Sequence, residues 1–108
     1  QASLTLRHAG AEVLLDQANT SVIMGRDASC PIVIADRMAS RQHARIARRR
    51  DKFVLVDQST NGTFVLFAGE AEIVLRREEV MLRGQGRIAF GRSLGEAETE
   101  SVEFTVQD

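Results

Sequence analysis

The chain has 108 residues, of which 44% are hydrophobic, and this size fits one domain with one modest core and is too short for two. Fourteen Lys and Arg against fifteen Asp and Glu leave a net charge of -1, so a general electrostatic attraction to nucleic acid is not expected. The single cysteine, Cys30, excludes an internal disulfide, and the repeated Cys/His spacing of a structural zinc site is missing. We therefore expect no metal or other cofactor.

The same composition predicts a cellular context. One unpaired cysteine fits a reducing compartment, and no apolar stretch approaches the roughly 18 residues of a membrane span. We expect a soluble cytoplasmic protein without a membrane partner. Because the sequence starts at Gln1 and not at a methionine, we also expect residues 1–108 to be a single domain cut from a longer, multidomain polypeptide.

Short runs rich in Val, Ile, Leu and Phe alternate with clusters of Gly, Asn, Asp and Ser, and helical periodicity is poor throughout. This pattern is typical of many short antiparallel strands. Because one small domain holds eleven such runs, we predict an all-β sandwich of two twisted sheets. In chain order the predicted strands are Ser3–Arg7, Glu12–Leu15, Ser21–Met24, Ile32–Ile34, His43–Arg48, Lys52–Asp57, Thr63–Leu66, Glu72–Leu75, Glu79–Leu82, Arg87–Phe90 and Val102–Val106.

Turn signals lie between these runs. Charged residues at Arg49–Asp51 and at Arg76–Glu78 predict hairpin turns. Asn61-Gly62 is the strongest local turn signal, because both residues tolerate positive φ. The polar segment Ser93–Glu100, which contains a glycine, predicts an exposed loop before the last strand.

Two polar motifs near predicted strand ends could contribute to a phosphate site. Such a site needs a guanidinium that binds bidentately, hydroxyl or amide donors, and a rigid scaffold. Arg26 supplies the guanidinium and follows Gly25, where we expect a tight turn. Ser40 precedes a strand by a few residues and offers a hydroxyl at a loop tip, and Arg41 adds a second cation beside it.

A third motif adds peptide-binding groups. Asn61 carries both an amide donor and a carbonyl acceptor, which suits pairing with the main chain of an extended peptide. Thr60 adds a second hydroxyl, and Gly62 lets the chain pass close to a ligand. Each motif alone has a simpler interpretation as an ordinary surface arginine or turn residue. Only the ordered set of three favours a binding site.

Two other functional classes are less well supported. Ser40, His43 and Asp57 are the residue types of a hydrolase triad, but no strained nucleophile turn or oxyanion hole accompanies them. We therefore expect no enzyme and interpret His43 as a residue that braces neighbouring loops. Nucleic acid is not an expected partner either, because the chain has no Trp or Tyr and only five Phe for base stacking.

From about Val22 to Gly91 the chain resembles the forkhead-associated (FHA) domain. The resemblance rests on Gly25-Arg26, Ser40-x-x-His43 and Asn61-Gly62-Thr63, which occur in the order of the family. It implies an eleven-stranded β-sandwich whose loops at one end bind phosphothreonine-containing segments of proteins in signalling.

The resemblance also implies a role for each motif residue. Arg26 and Ser40 would contact the phosphate, Arg41 and Thr60 would support it, and Asn61 would hold the peptide main chain. The remaining motif residues would be structural. These are Gly25, His43 and Gly62.

In the family, the loop before the motif serine usually selects the residue three places after the phosphothreonine. That loop is Ala35–Ala39 here, in which Arg37 would favour an acidic residue and Met38 an aliphatic one. Both alternatives stay open. Pro31 departs from the family pattern, and because it lacks a backbone donor it predicts an edge position.

Two hypotheses about function follow. The first is a non-catalytic module that recognises phosphothreonine peptides. The alternative is a structural or oligomerising sandwich that binds partners through a sheet face without phosphate, which exposed apolar residues on strands would indicate.

Overall fold

The computed structural model describes residues 1–108 and consists of eleven β-strands without a helix. All the strands predicted from the sequence are present, with ends that differ by at most two residues. They are β1 Ser3–His8, β2 Ala11–Leu15, β3 Ser21–Gly25, β4 Ile32–Val33, β5 Ala44–Arg49, β6 Lys52–Asp57, β7 Thr63–Phe67, β8 Ile73–Leu75, β9 Glu79–Leu82, β10 Gln85–Phe90 and β11 Ser101–Gln107. No helix of membrane-spanning length and hydrophobicity occurs.

The strands form two sheets. The six-stranded sheet has the order β2-β1-β11-β10-β7-β8, and the five-stranded sheet has the order β4-β3-β5-β6-β9. Every neighbouring pair is antiparallel except β3 and β4, where Met24 pairs with Ile32 in parallel. The predicted all-β sandwich is confirmed, and β4, which Pro31 precedes, is an edge strand as predicted.

The core lies between the sheets and follows from alternation along the strands. In β1, Leu4 and Leu6 are buried while their neighbours are partly exposed, as expected when successive side chains point to opposite faces. Phe67 and Phe104 flank Gly86 in the ladder, and their rings meet edge to face with centroids 5.7 Å apart. A Cβ atom at Gly86 would lie 2.8 Å from the Phe104 ring, so only glycine leaves room for this contact.

Of the two hairpin turns predicted at charged residues, one is present in the structure and one is not. Arg50 and Asp51 form a two-residue hairpin turn between β5 and β6, with φ of 61° at Arg50, as predicted. The hairpin predicted at Arg76–Glu78 is wrong, because β8 and β9 belong to different sheets. This segment is a crossover between the sheets, and Arg77 adopts a φ of 58° within it.

The chain reverses between antiparallel strands, and this brings several connections to one end of the sandwich. We call this the loop end, and its segments are 9–10, 26–31, 34–43, 58–62, 76–78 and 91–100. The hairpin turn at Arg50 lies at the opposite end.

Candidate functional site

Gly25 is the point where two loop-end segments touch. It is the last residue of β3 and has no positive φ, and the chain turns in the bend that begins at Arg26. A Cβ atom at this position would lie 2.1 Å from the carbonyl oxygen of Arg41 and 2.9 Å from the backbone nitrogen of His43. The next residue, Arg26, donates its backbone N–H to the Ser40 carbonyl over 3.0 Å. Glycine is therefore required by close backbone approach.

The Arg26 side chain is exposed but oriented. Its Nε donates to the carbonyl oxygen of Ala39 over 2.7 Å, which fixes the plane of the guanidinium. The two terminal nitrogens have no intramolecular partner, and Arg26 forms no ion pair with a carboxylate. The two terminal nitrogens, held in a fixed plane, are thus free to donate hydrogen bonds to an anion.

Ser40 connects the segment at 34–43 with the segment at 58–62. Its backbone N–H donates to Nδ1 of His43 over 2.9 Å, and its Oγ accepts the backbone N–H of Thr60 over 3.1 Å. Because the hydroxyl oxygen is an acceptor in this contact, its hydrogen remains available for donation to a ligand.

His43 is fully buried beneath the exposed residues of the site and is hydrogen-bonded to two of its segments. Since Nδ1 accepts the Ser40 N–H, Nε2 carries the proton and donates to the Gly62 carbonyl over 2.8 Å. The ring also contacts Phe90 edge to face at 5.4 Å. Burial lowers the pKa of His43, although the contact with Gly62 and nearby carboxylates act in the opposite direction. The neutral imidazole therefore joins two loop-end segments.

Asp57 organises the segment at 58–62, a role that sequence reasoning missed. The buried carboxylate accepts the hydroxyls of Ser59 and Thr63, each over 2.6 Å, and the backbone N–H of Arg77 over 2.7 Å. Burial would raise the pKa of Asp57, but these hydrogen bonds outweigh it and lower the pKa. The spacing of Asp57, Ser59 and Thr63 around a turn was the available signal.

Asn61 and Gly62 lie where two segments meet. Asn61 Nδ2 donates to the Met38 carbonyl over 3.0 Å, which leaves its Oδ1 without an intramolecular partner. Gly62 has a φ of 94°, and its N–H donates to Ser59 Oγ over 2.8 Å. Of the two predicted turn residues, only Gly62 uses positive φ.

The other predicted residues surround this group with exposed side chains. The Thr60 hydroxyl and the guanidinium groups of Arg37 and Arg41 form no intramolecular hydrogen bond, and neither arginine forms an ion pair. Met38 is 41% exposed. Arg26, Arg37 and Arg41 are therefore among the cations at the loop end that have no carboxylate partner, in a chain whose net charge is -1.

The three residues of the hydrolase alternative are not arranged as a triad. The contact between Ser40 and His43 uses the serine backbone and not its hydroxyl. The carboxylate of Asp57 bonds to Ser59, Thr63 and Arg77, while the second imidazole nitrogen contacts a carbonyl. No base is placed to remove a proton from Ser40.

The loop predicted at Ser93–Glu100 is present between β10 and β11. Its last residue was expected to be exposed, but it is mostly buried. Glu100 turns inward, and its side chain is 24% exposed. Sequence reasoning missed this residue, because its partners lie more than sixty positions away.

The predicted residues form an open surface. The four main cavities are lined by other residues, and none includes Arg26, Ser40 or Asn61. A surface of this kind suits an extended segment better than a small molecule, which usually binds in a concave pocket.

Solved structures resemble this fold along nearly its whole length. Rv1747 FHA-1 of Mycobacterium tuberculosis is 21% identical, with a TM-score of 0.71, and the match covers 99% of this chain and 98% of that chain. An FHA domain from a study of phosphothreonine-dependent FHA domain interactions is 26% identical, with a TM-score of 0.65, covering 98% and 96%.

A third similar structure is Mycobacterium tuberculosis EmbR in complex with a low affinity phosphopeptide. It is 26% identical with a TM-score of 0.66, and the match covers 99% of this chain and 24% of EmbR. Among curated proteins, none matches this sequence. The sequence model of the FHA domain matches residues 22–91, which is well over half of the chain, and the chain therefore belongs to the FHA domain family.

Proposed function

We propose that this chain is a recognition module that binds phosphothreonine-containing segments of proteins in signalling. One observation carries the proposal: hydrogen bonds between loop-end segments bring Arg26, Ser40 and Asn61 together, each with a polar group left unused. A preorganised set of donors loses little conformational entropy on binding. The loop end therefore suits a charged ligand on an extended chain.

The phosphate would be bound by Arg26 and Ser40. The free terminal nitrogens of Arg26 match two phosphate oxygens, and the Ser40 hydroxyl supplies a third donor. Arg41 would add charge, and Thr60 would add a hydroxyl, since neither side chain has another partner. A phosphate carries about -1.5 to -2 charges at neutral pH, so local cations favour it strongly.

The peptide main chain would be held by Asn61. Its Nδ2 is tied to the Met38 carbonyl, which fixes the amide plane and presents Oδ1 to solvent as an acceptor for a backbone N–H. Gly25, His43 and Gly62 would act indirectly by keeping the segments in place, as their contacts indicate.

The family and two similar structures support this proposal. At 26% identity, one similar FHA domain comes from a study of phosphothreonine-dependent interactions, and EmbR was solved with a phosphopeptide. These properties belong to those proteins, and membership of the FHA domain family makes phosphothreonine the first ligand to test.

We also propose that the chain is not an enzyme, that its location is cytoplasmic, and that neither nucleic acid nor membrane is its partner. Support for a non-catalytic role comes from the arrangement of Ser40 and His43, in which the hydroxyl has no base. We propose residues 1–108 as one module, because the core contains residues from both Leu4 and Phe104, near the two ends of the chain.

Selectivity three places after the phosphothreonine is assigned to Arg37 and Met38, which are both exposed. The unpaired Arg37 guanidinium favours an acidic residue, and the Met38 side chain favours an aliphatic one. An oriented phosphothreonine peptide library separates these two alternatives.

The alternative function would use an apolar sheet face. Large exposed apolar side chains on strands do occur, but all of them lie on edge strands: Leu14 on β2, Val33 on β4, Ile73 on β8 and Met81 on β9. Because these strands are opposite edges of the two sheets, the side chains do not form one continuous face.

The test is a calorimetric titration with the best library peptide in phosphorylated and unphosphorylated form. The proposal predicts binding of the phosphorylated form and little or none of the other. Equal affinity for both forms would refute it, and a stable dimer by light scattering in that case would favour the structural alternative.

A further inference from the structure

Glu100 supplies the hydrogen-bond acceptor for the start of the loop that contains Arg37 and Met38. Its Oε1 accepts the backbone N–H of Ala35 over 3.0 Å and that of Asp36 over 2.9 Å. Neither N–H has a carbonyl partner, since both lie beyond the end of β4. A carboxylate that accepts two backbone N–H groups makes a charge-assisted contact, which is stronger than a neutral one.

The carboxylate of Glu100 is itself held from its other side. Nε2 of His8, the last residue of β1, lies 2.6 Å from its Oε2, and both side chains are mostly buried. Glu100 therefore has a defined rotamer between the six-stranded sheet and the loop. The loop residues that it contacts lie at least 64 positions earlier in the sequence.

Beyond Glu100, the loop is stabilised by its own carboxylate. Asp36 accepts the backbone N–H of Met38 over 2.9 Å and pairs with Arg92, whose Nη2 lies 3.0 Å from Oδ1. Burial would raise the pKa of Asp36, but these contacts lower it. The loop from 35 to 39 is thus held at its first two residues and again at its centre.

This loop in turn orients the proposed peptide contacts. The Met38 carbonyl accepts the Asn61 side-chain amide, and the Ala39 carbonyl accepts Nε of Arg26. A shift of the loop backbone would move both acceptors. Contacts therefore continue from Glu100 through the loop to two of the groups that would bind the peptide.

We propose that Glu100 is a positioning residue for peptide recognition, which touches no peptide atom but fixes the loop from 35 to 39 and thereby sets affinity and selectivity. This inference rests on the proposed function and adds a residue outside the three binding motifs.

The test uses Glu100→Ala and the milder Glu100→Gln, which keeps the length of the side chain and one oxygen acceptor. Amide hydrogen exchange of the free protein is measured first, because it needs no peptide. In Glu100→Ala we expect the Ala35 and Asp36 amides to exchange about tenfold faster, with an intermediate change in Glu100→Gln. Amides of the β5–β6 hairpin should be unaffected.

Binding is then measured with two phosphothreonine peptides that differ only at the third residue after the phosphothreonine. We expect Glu100→Ala to bind the preferred peptide about tenfold more weakly and to discriminate less between the two. Loss of discrimination is the readout that a general loss of stability would not produce. The matched control is Glu98→Gln, because Glu98 is exposed in the same loop and makes no hydrogen bond.

The outcomes separate this inference from the proposed function. A wild-type chain that binds no phosphopeptide would refute the proposed function and with it the recognition role of Glu100, while the exchange data would still decide whether Glu100 holds the loop. Normal binding by the wild type, together with unchanged exchange or unchanged selectivity in Glu100→Ala, would overturn the role of Glu100 alone.

Discussion

At the scale of single residues, Ser40 divides its polar groups between structure and ligand. Its backbone N–H goes to His43, its Oγ accepts from Thr60, and only the hydroxyl hydrogen is unused. Gly25 shows the limit of prediction at this scale. Its motif position was visible in the sequence, but the cause is the Arg41 carbonyl oxygen, which would lie 2.1 Å from a Cβ atom at Gly25 and which only the folded chain reveals.

His43 gives a pH-dependent prediction at this scale. Burial lowers its pKa in the folded state below the usual 6.5, so near that value the unfolded chain takes up a proton and the folded chain does not. The contribution of neutral His43 to the unfolding free energy is fully present above pH 6.5. It decreases as the pH falls from 6.5 towards the lowered pKa of the folded state. His43→Gln should therefore show a weaker decrease in unfolding free energy between about pH 7 and pH 5.

Chemical denaturation at a series of pH values measures this difference. Asp57 does not affect this comparison. Its pKa is lowered in the folded state, so the stability that depends on its charge is lost only below pH 3.8. Parallel curves for the wild type and His43→Gln would show that folding does not lower the pKa of His43.

At the scale of elements, Asp57 joins the end of β6, the segment at 58–62, the start of β7 and the crossover from β8 to β9. The eleven strands could be predicted because alternation of apolar residues is a local property. The crossover at Arg76–Glu78 could not, because a charged trio between strands is equally consistent with a hairpin. Which sheet β9 joins is decided by its pairing with β6.

Asp57→Asn tests this connection. The amide has one oxygen acceptor and no charge, so it cannot replace a carboxylate that accepts from three residues, and we expect a loss of about 2 to 3 kcal/mol in unfolding free energy. Asp51→Asn in the exposed β5–β6 turn is the control and should be nearly neutral. Denaturant titration measures both, and equal stability of the two variants would contradict the role of Asp57.

At the scale of the whole molecule, the sandwich is a scaffold that brings distant segments to one end. The order of the three motifs, through the family that it resembles, was enough to predict that their residues lie there: the first motif ends β3, and the other two precede β5 and β7. The sequence could not predict Glu100, because its contacts with Ala35 and Asp36 depend on how the β10–β11 loop packs against the segment that follows β4 of the other sheet.

We propose that Arg26 at this end recognises a phosphate. The most direct measurement is the ratio of affinities for the phosphorylated and unphosphorylated forms of one peptide, determined for the wild type, Arg26→Ala and Arg50→Ala. Arg50 is a suitable control because it is exposed at the opposite end of the sandwich. We predict a large ratio in the wild type and in Arg50→Ala, and a ratio reduced at least about tenfold in Arg26→Ala, because a charge-assisted contact is lost. An unchanged ratio in Arg26→Ala would contradict the claim.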